Sequence, residues 1–188
     1  MIDIGTGDGL FVYRSAIQDR NRLYIGIDPN ARPLEKISEK IYRNPSRGGA
    51  ANALYLLASA EDLPSELNGI ASEVHVLFPW GSLLRGLITA DAKVLHGIRR
   101  ICEPGAIVRI VFSLHAESDR SEILRLGLPE PNQKYVDAVL LPKFVAAGFK
   151  IVEAKQSGQF ESLPSSWAKR LAQNNRRFAY MIQIKTND

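Results

Sequence analysis

A mostly parallel α/β sheet with helices on both faces is predicted here by three features of the chain. Short apolar segments of strand length alternate with segments of helical periodicity, and strands separated by helices pair in parallel. A glycine cluster, Gly5-Thr6-Gly7-Asp8-Gly9, directly follows the first apolar segment, at the position where such folds bind ligands. The last apolar segment, 178–184, alternates strongly and reads as an antiparallel partner.

Each element has its own justification. Ile2-Asp3-Ile4 is a strand end running into the glycines. Leu10, Phe11, Val12 and Ala16 then make a helical stripe ending near Asn21. Leu23–Ile27 is a second strand that stops at Asp28-Pro29, and the proline keeps Asp28 extended at the strand's tip. A helix is predicted over 32–43, with Ile37 and Ile41 on one face and Lys36, Lys40 and Arg43 on a neighbouring one. Residues 54–58 form a third strand and 74–78 a fourth, closed by Pro79-Trp80-Gly81. Asp91 caps a helix running to about Ile101, whose stripe is Val94, Leu95, Ile98 and Ile101. Pro104-Gly105 turns the chain into a fifth strand, 107–112. A helix over 135–147, ended by Gly148, leads to strands at 150–154 and 178–184.

Composition bounds the function. The 188 residues are 45% hydrophobic and 23% charged, which suits one globular domain over 1–188 and argues against extensive disorder. Cys102, the single cysteine, excludes an internal disulfide and any cysteine-built metal site, and reads as a buried thiol. His75, His96 and His115 show no metal-ligand spacing, so no metal is expected. No apolar run of membrane-spanning length and no secretion signal is visible, so the expectation is a soluble cytoplasmic protein without a membrane partner.

The net charge of +4 is unevenly spread. Arg32, Lys36, Lys40, Arg43 and Arg47 form one basic block; Lys169, Arg170, Arg176, Arg177 and Lys185 form another. Lys93, Arg99, Arg100 and Arg109 make a third cluster. Cations gathered without comparable acids suggest a surface for a polyanion.

The small-molecule site is read from Gly5, Thr6, Gly7, Gly9 and Asp28. Glycines at this spacing allow a tight turn and close backbone approach to a ligand, and the following helix start presents N–H groups to an anion. The dinucleotide spacing fails because Leu10 stands where the third glycine belongs, and no Gly-Lys-Ser/Thr is present. Asp28 is placed to accept from ribose hydroxyls. The pattern points to an adenosine-containing ligand without saying which.

Asp3-Ile4-Gly5-Thr6-Gly7-Asp8-Gly9 followed by Asp28 resembles the first two motifs of class I S-adenosylmethionine-dependent methyltransferases. Three further blocks, Ser59-Ala60-Glu61-Asp62-Leu63-Pro64, Phe78-Pro79-Trp80-Gly81-Ser82-Leu83-Leu84 and Ser165-Ser166-Trp167-Ala168-Lys169-Arg170, are similar to the 16S ribosomal RNA adenine-1408 N1-methyltransferases of aminoglycoside resistance. The resemblance spans nearly the whole chain. It implies a Rossmann-like seven-stranded sheet with an antiparallel last strand, S-adenosylmethionine as cofactor, and the 30S subunit as substrate of a monomeric enzyme. Asp3, the Gly5–Gly9 loop, Asp28, Ala60 and Glu61 would line the cofactor site, Asp28 at the ribose and Ala60–Glu61 at the adenine. Family members carry a hairpin ahead of the glycine motif, and the expectation here is a single domain without it.

N1 of adenine is hidden in a stacked duplex, so an enzyme methylating it must extrude the base. Stacking on an aromatic face contributes about 1–3 kcal/mol per base and leaves the polar edge free. Trp80 and Trp167 are the only tryptophans, and the resemblance makes them the two faces of a base clamp, with Ser82 and Ser166 positioning the base. On spacing alone, Trp167 reads equally as core, because Leu163, Trp167 and Leu171 lie four apart. Lys36, Lys40, Arg43, Arg47, Lys169, Arg170, Arg176 and Arg177 are the expected phosphate contacts. Two other readings stay open at this stage: a transfer RNA methyltransferase of the guanine-N7 type, and a non-catalytic RNA-binding module.

Overall fold

The structure, a computed structural model, describes residues 1–129, 132–158 and 178–187. Its seven strands are β1 (Ile2–Ile4), β2 (Tyr24–Ile27), β3 (Ala53–Leu56), β4 (Ala71–Leu77), β5 (Cys102–Phe112), β6 (Phe149–Ser157) and β7 (Ala179–Thr186). They form one sheet in the order β3-β2-β1-β4-β5-β7-β6. The five strands from β3 to β5 pair in parallel, and β7 runs antiparallel to both β5 and β6. The chain order reverses between β1 and β4, which opens a crevice beyond their carboxyl ends.

Helices α1 (Leu10–Gln18) and α2 (Ala31–Ile41) connect β1 to β2 and β2 to β3. α2 buries Leu34, Ile37 and Ile41 and starts at Asn30, whose side chain accepts from the Arg32 N–H. This matches the predicted apolar face. α3 (Gly81–Thr89) and α4 (Ala92–Ile101) follow β4, and Asp91 Oδ1 accepts from the Lys93 and Val94 N–H groups as a helix cap. The stripe Val94, Leu95, Ile98 and Ile101 is buried.

Three differences from the sequence reading have local causes. α3 and α5 (Arg120–Leu126) lack the cues of a helix. Gly81 and Gly86 punctuate α3 like a turn, and it has no side-chain cap. β5 begins at Cys102, so Pro104-Gly105 lies within the strand, next to the shift in pairing register between Ala71 and Glu73 of β4. The predicted helix over 135–147 is instead α6 (Gln133–Tyr135), a π-turn over Val136–Leu140, and α7 (Leu141–Ala146). Pro142 has no N–H to give to a carbonyl four residues back, and the wider turn accommodates that loss.

The main core lies between the sheet and α3, α4 and α7, with Val74, Val76, Val108, Ile98 and Phe144 at its centre. Cys102 is buried as expected; burial pushes its thiol up to about 12, so it is a packing group.

Candidate functional site

The glycine loop is anchored to the tip of β2 from both sides. The N–H groups of Gly5 and Thr6 donate to Ile27 O at 2.8 and 3.0 Å. Asp28 Oδ2 accepts from Gly7 N–H at 2.9 Å, and its Oδ1 accepts from Asn30 N–H at 2.9 Å. Asp28 therefore shapes the loop as well as facing the crevice, and each oxygen retains a lone pair for a hydroxyl. Gly7 has a φ of 58°, and a Cβ there would meet nothing within 4 Å. Its glycine serves the backbone turn and leaves space above it. Gly9 is glycine for a different reason, since a Cβ would stand 2.7 Å from the Tyr55 ring and 2.8 Å from Ile37. Tyr55, which sequence reasoning passed over, wedges under the loop from β3 and donates its hydroxyl to Gly9 O at 2.7 Å.

Asp3 is only 3% exposed, and its Oδ1 and the Thr6 hydroxyl are buried without a hydrogen-bond partner. Burial raises the Asp3 carboxyl to about 7, with the Thr6 side chain and the His75 ring pulling the other way. A buried polar atom left unpaired costs roughly 1–3 kcal/mol, so this pair is suited to a ligand that brings donors or positive charge. The ammonium-bearing end of S-adenosylmethionine fits that requirement.

Across the crevice mouth, Ser59–Asp62 forms a tight turn in which Asp62 N–H donates to Ser59 O at 3.1 Å. Ala60 is buried at its centre and Glu61 is exposed. β4 ends at Leu77, and the next residue, Phe78, has a φ of 51°, in the left-handed region that non-glycine residues avoid. Phe78 N–H donates to Val111 O at 2.7 Å, and Pro79 is buried behind it. This bend throws Trp80 outward, 53% exposed, at the start of α3. α3 leans on the glycine loop so closely that a Cβ on Gly5 would come within 2.7 Å of Leu83. Trp80 and the loop thus share one crevice, and the exposed Ser82 lies in the first turn beside them.

Glu122 on α5 is a second contributor that the sequence did not reveal. Its carboxylate takes two hydrogen bonds from Arg125, at 2.7 and 2.6 Å. Arg125 and the Gly81 backbone N–H together hold it below the usual carboxylate range. It lies beside the start of α3, which has no side-chain cap of its own.

Among the basic residues, Lys36, Arg43 and Arg47 are exposed, and Lys40 Nζ lies 4.2 Å from the centre of the Tyr13 ring. α2 returns from the carboxyl to the amino end of a parallel sheet, so this strip begins near the crevice and runs away from it. In the third cluster expected from the sequence, Lys93 and Arg99 are exposed, while the other two cations have protein partners. Arg109 and Arg22 both pair with Glu73, and Arg100 donates to Leu63 O and Asn68 Oδ1. Trp167, Ser166, Lys169, Arg170, Arg176 and Arg177 lie outside the described residues. Among the described residues no group of three or more histidine, cysteine or acidic side chains could hold a metal ion, and no helix is long and apolar enough to cross a membrane.

Comparison with known proteins follows the same outline. The family model for NpmA, 16S rRNA (adenine(1408)-N(1))-methyltransferase, matches residues 1–186. The 16S rRNA (adenine(1408)-N(1))-methyltransferase of Streptoalloteichus tenebrarius is 39% identical over 95% of this chain and 82% of its own. The crystal structure of the aminoglycoside resistance methyltransferase NpmB1 is 39% identical, with a TM-score of 0.87 over 98% of this chain and 85% of that one. A variant of the 16S rRNA (adenine(1408)-N(1))-methyltransferase from Catenulisporales acidiphilia, solved with its cosubstrate SAM, is 31% identical, with a TM-score of 0.89 over 100% of this chain and 85% of that one. A match of this extent, on this sheet order and this crevice, places the chain in the 16S rRNA (adenine(1408)-N(1))-methyltransferase family.

Proposed function

We propose that this chain transfers a methyl group from S-adenosylmethionine to N1 of adenine 1408 of 16S ribosomal RNA in the 30S subunit, giving aminoglycoside resistance. One observation carries the reading: α3, which starts at the exposed Trp80, packs through Leu83 against Gly5 of the glycine loop, where Gly7 leaves open space and Asp3 Oδ1 is buried without a hydrogen bond. A cofactor cradle and an aromatic platform side by side are what methylation of an extruded base requires. The same reading makes the chain a cytoplasmic monomer that works without metal or membrane.

When bound, S-adenosylmethionine supplies an electrophilic methyl carbon on its sulfonium. Asp3 and Thr6 hold the amino-acid end, Asp28 accepts from the ribose hydroxyls, and the Ala60–Glu61 turn borders the adenine. Trp80 stacks on one face of the target adenine and Trp167 on the other, with Ser82 and Ser166 fixing its orientation. N1 of neutral adenine carries a lone pair and no proton, so no general base is needed. That lone pair forms the new bond to carbon while the pair of the carbon–sulfur bond returns to sulfur. The residues act by alignment, keeping N1 within about 3–3.5 Å of the methyl carbon.

Primer extension on 16S ribosomal RNA, after 30S subunits are incubated with the protein and S-adenosylmethionine, tests the proposal. The expected result is a cofactor-dependent stop at adenine 1408. A stop elsewhere, or methylation only of transfer RNA, rejects it.

A further inference from the structure

α4 passes directly behind the turn that borders the adenine. A Cβ on Gly97 would stand 2.0 Å from the carbonyl oxygen of Ala60 and 3.2 Å from its carbonyl carbon. Those are backbone atoms, which cannot swing aside as the end of a flexible side chain can. Gly97 is inside a regular helix with no positive φ, where glycine is less stabilising than alanine. Its place is explained by the space it leaves for Ala60.

One turn further on, Arg100 grips the other side of the same segment. Its Nη2 donates to Leu63 O at 2.6 Å and its Nη1 donates to Asn68 Oδ1 at 2.8 Å. Gly69 N–H donates in return to Arg100 O at 3.0 Å. The segment between β3 and β4 has few other ties: one short 3₁₀ turn, Ser65–Leu67, and the buried side chains of Ala60, Leu63 and Leu67.

We propose that Gly97 and Arg100 are positioning residues for cofactor binding, setting the height of the Ala60–Glu61 turn above the crevice through a backbone contact and a guanidinium clamp. The proposal rests on the reading of that turn as the adenine contact. Neither residue touches the cofactor. Their effect passes through the turn, so it falls on cofactor affinity and leaves the transfer step and 30S binding alone.

The test uses the full chain with 30S subunits, comparing Gly97→Ala, Arg100→Ala and Arg100→Lys with His96→Ala, an exposed residue on the same helix. Gly97→Ala and Arg100→Ala are each expected to raise the KM for S-adenosylmethionine at least about tenfold, a loss of about 1.4 kcal/mol of binding, with kcat at saturating cofactor within about threefold. Arg100→Lys retains one donor and should recover part of the affinity, and His96→Ala should behave as the parent. Arg100→Ala keeps the proposal falsifiable should Gly97→Ala fold poorly. A lowered melting temperature with unchanged KM in the folded Arg100→Ala protein overturns the proposal, as does an equal fall in kcat. Asp28→Ala and Glu61→Ala separate it from the cofactor reading beneath it. If both bind S-adenosylmethionine normally, that reading fails; if they lose affinity while Gly97→Ala and Arg100→Ala do not, only the positioning role fails.

Discussion

Asp3 concentrates the tension between stability and binding in one side chain. Its carboxyl is raised to about 7 by burial, from an ordinary value of 3.8. A carboxyl raised on folding stabilises the chain fully below the unfolded value, and that contribution is lost as pH rises through the folded one, here between about 4 and 7. The cofactor-free protein should therefore lose stability across this window because burial strips the ionised Asp3 carboxylate of solvent and its Oδ1 accepts no hydrogen bond. Asp3→Asn should raise its melting temperature at pH 8, with the gain shrinking toward pH 4. A ligand that brings positive charge favours the ionised form, so S-adenosylmethionine affinity of the parent should tighten as pH rises from 6 to 8. The Asn variant should bind weakly at every pH. Calorimetry across that range checks both, and a pH-independent affinity in the parent removes Asp3 from the site.

Trp80 makes the opposite case. A side chain 53% exposed supports little packing, and surface substitutions usually change stability by less than about 0.5 kcal/mol. Trp80→Ala should melt like the parent and bind 30S subunits normally, since phosphate contacts supply most of that affinity. Single-turnover methylation should fall about tenfold to a hundredfold, equivalent to roughly 1.4–3 kcal/mol of stacking at the transition state. A large drop in melting temperature with normal turnover would mean the ring is packing after all.

Among the elements, α3 and α4 organise the two halves of the crevice. α3 carries Trp80 at its start and packs on the glycine loop through Leu83. α4 approaches α3 where a Cβ on Gly86 would come within 2.5 Å of Val94, and approaches the Ser59–Asp62 turn at Gly97. Two glycines thus let one helix sit close to both neighbours. The start of α3 lies against α5, where the Gly81 backbone N–H helps hold the Glu122 carboxylate below its usual range. Glu122→Ala removes that carboxylate from the start of α3 and releases Arg125. The expected result is a fall in methylation of about tenfold with unchanged S-adenosylmethionine affinity, since the platform loosens and the cradle does not. Equal loss of cofactor affinity would show that α5 supports the whole crevice.

For the molecule as a whole, the proposed function assigns the basic strip on α2 to a substrate surface that extends beyond the crevice. A site on folded ribosomal RNA is read largely by shape and phosphate positions, which needs a broad footprint more than base contacts. Lys36→Glu and Arg43→Glu should weaken 30S association, each lowering the slope of log affinity against log salt by about one. S-adenosylmethionine binding should be unaffected, because neither residue faces the glycine loop. A salt slope unchanged in both variants would place the RNA elsewhere on the surface.

Much of this protein was legible from local chemistry. The alternation of strand and helix signals, the glycine cluster, Asp28 at the tip of β2 and the Asp91 cap each depend on a few neighbouring residues, and each appears where the sequence places it. The family blocks around Trp80 and Glu61 were legible for the same reason, being contiguous. The seven-strand order and the antiparallel β7 also agree with that reading. Packing alone decided the rest. The strained Phe78, the approach of Glu122 to the start of α3, the Tyr55 wedge under Gly9 and the fit of Gly97 against Ala60 each depend on the tertiary fold. No periodicity records such contacts, because they arise only once helices dock at a given distance. The third basic cluster shows the same limit from the other side. Arg109 reads as a free cation along the chain, and the folded sheet pairs it with Glu73, since a charge brought near an opposite one binds it before any distant polyanion.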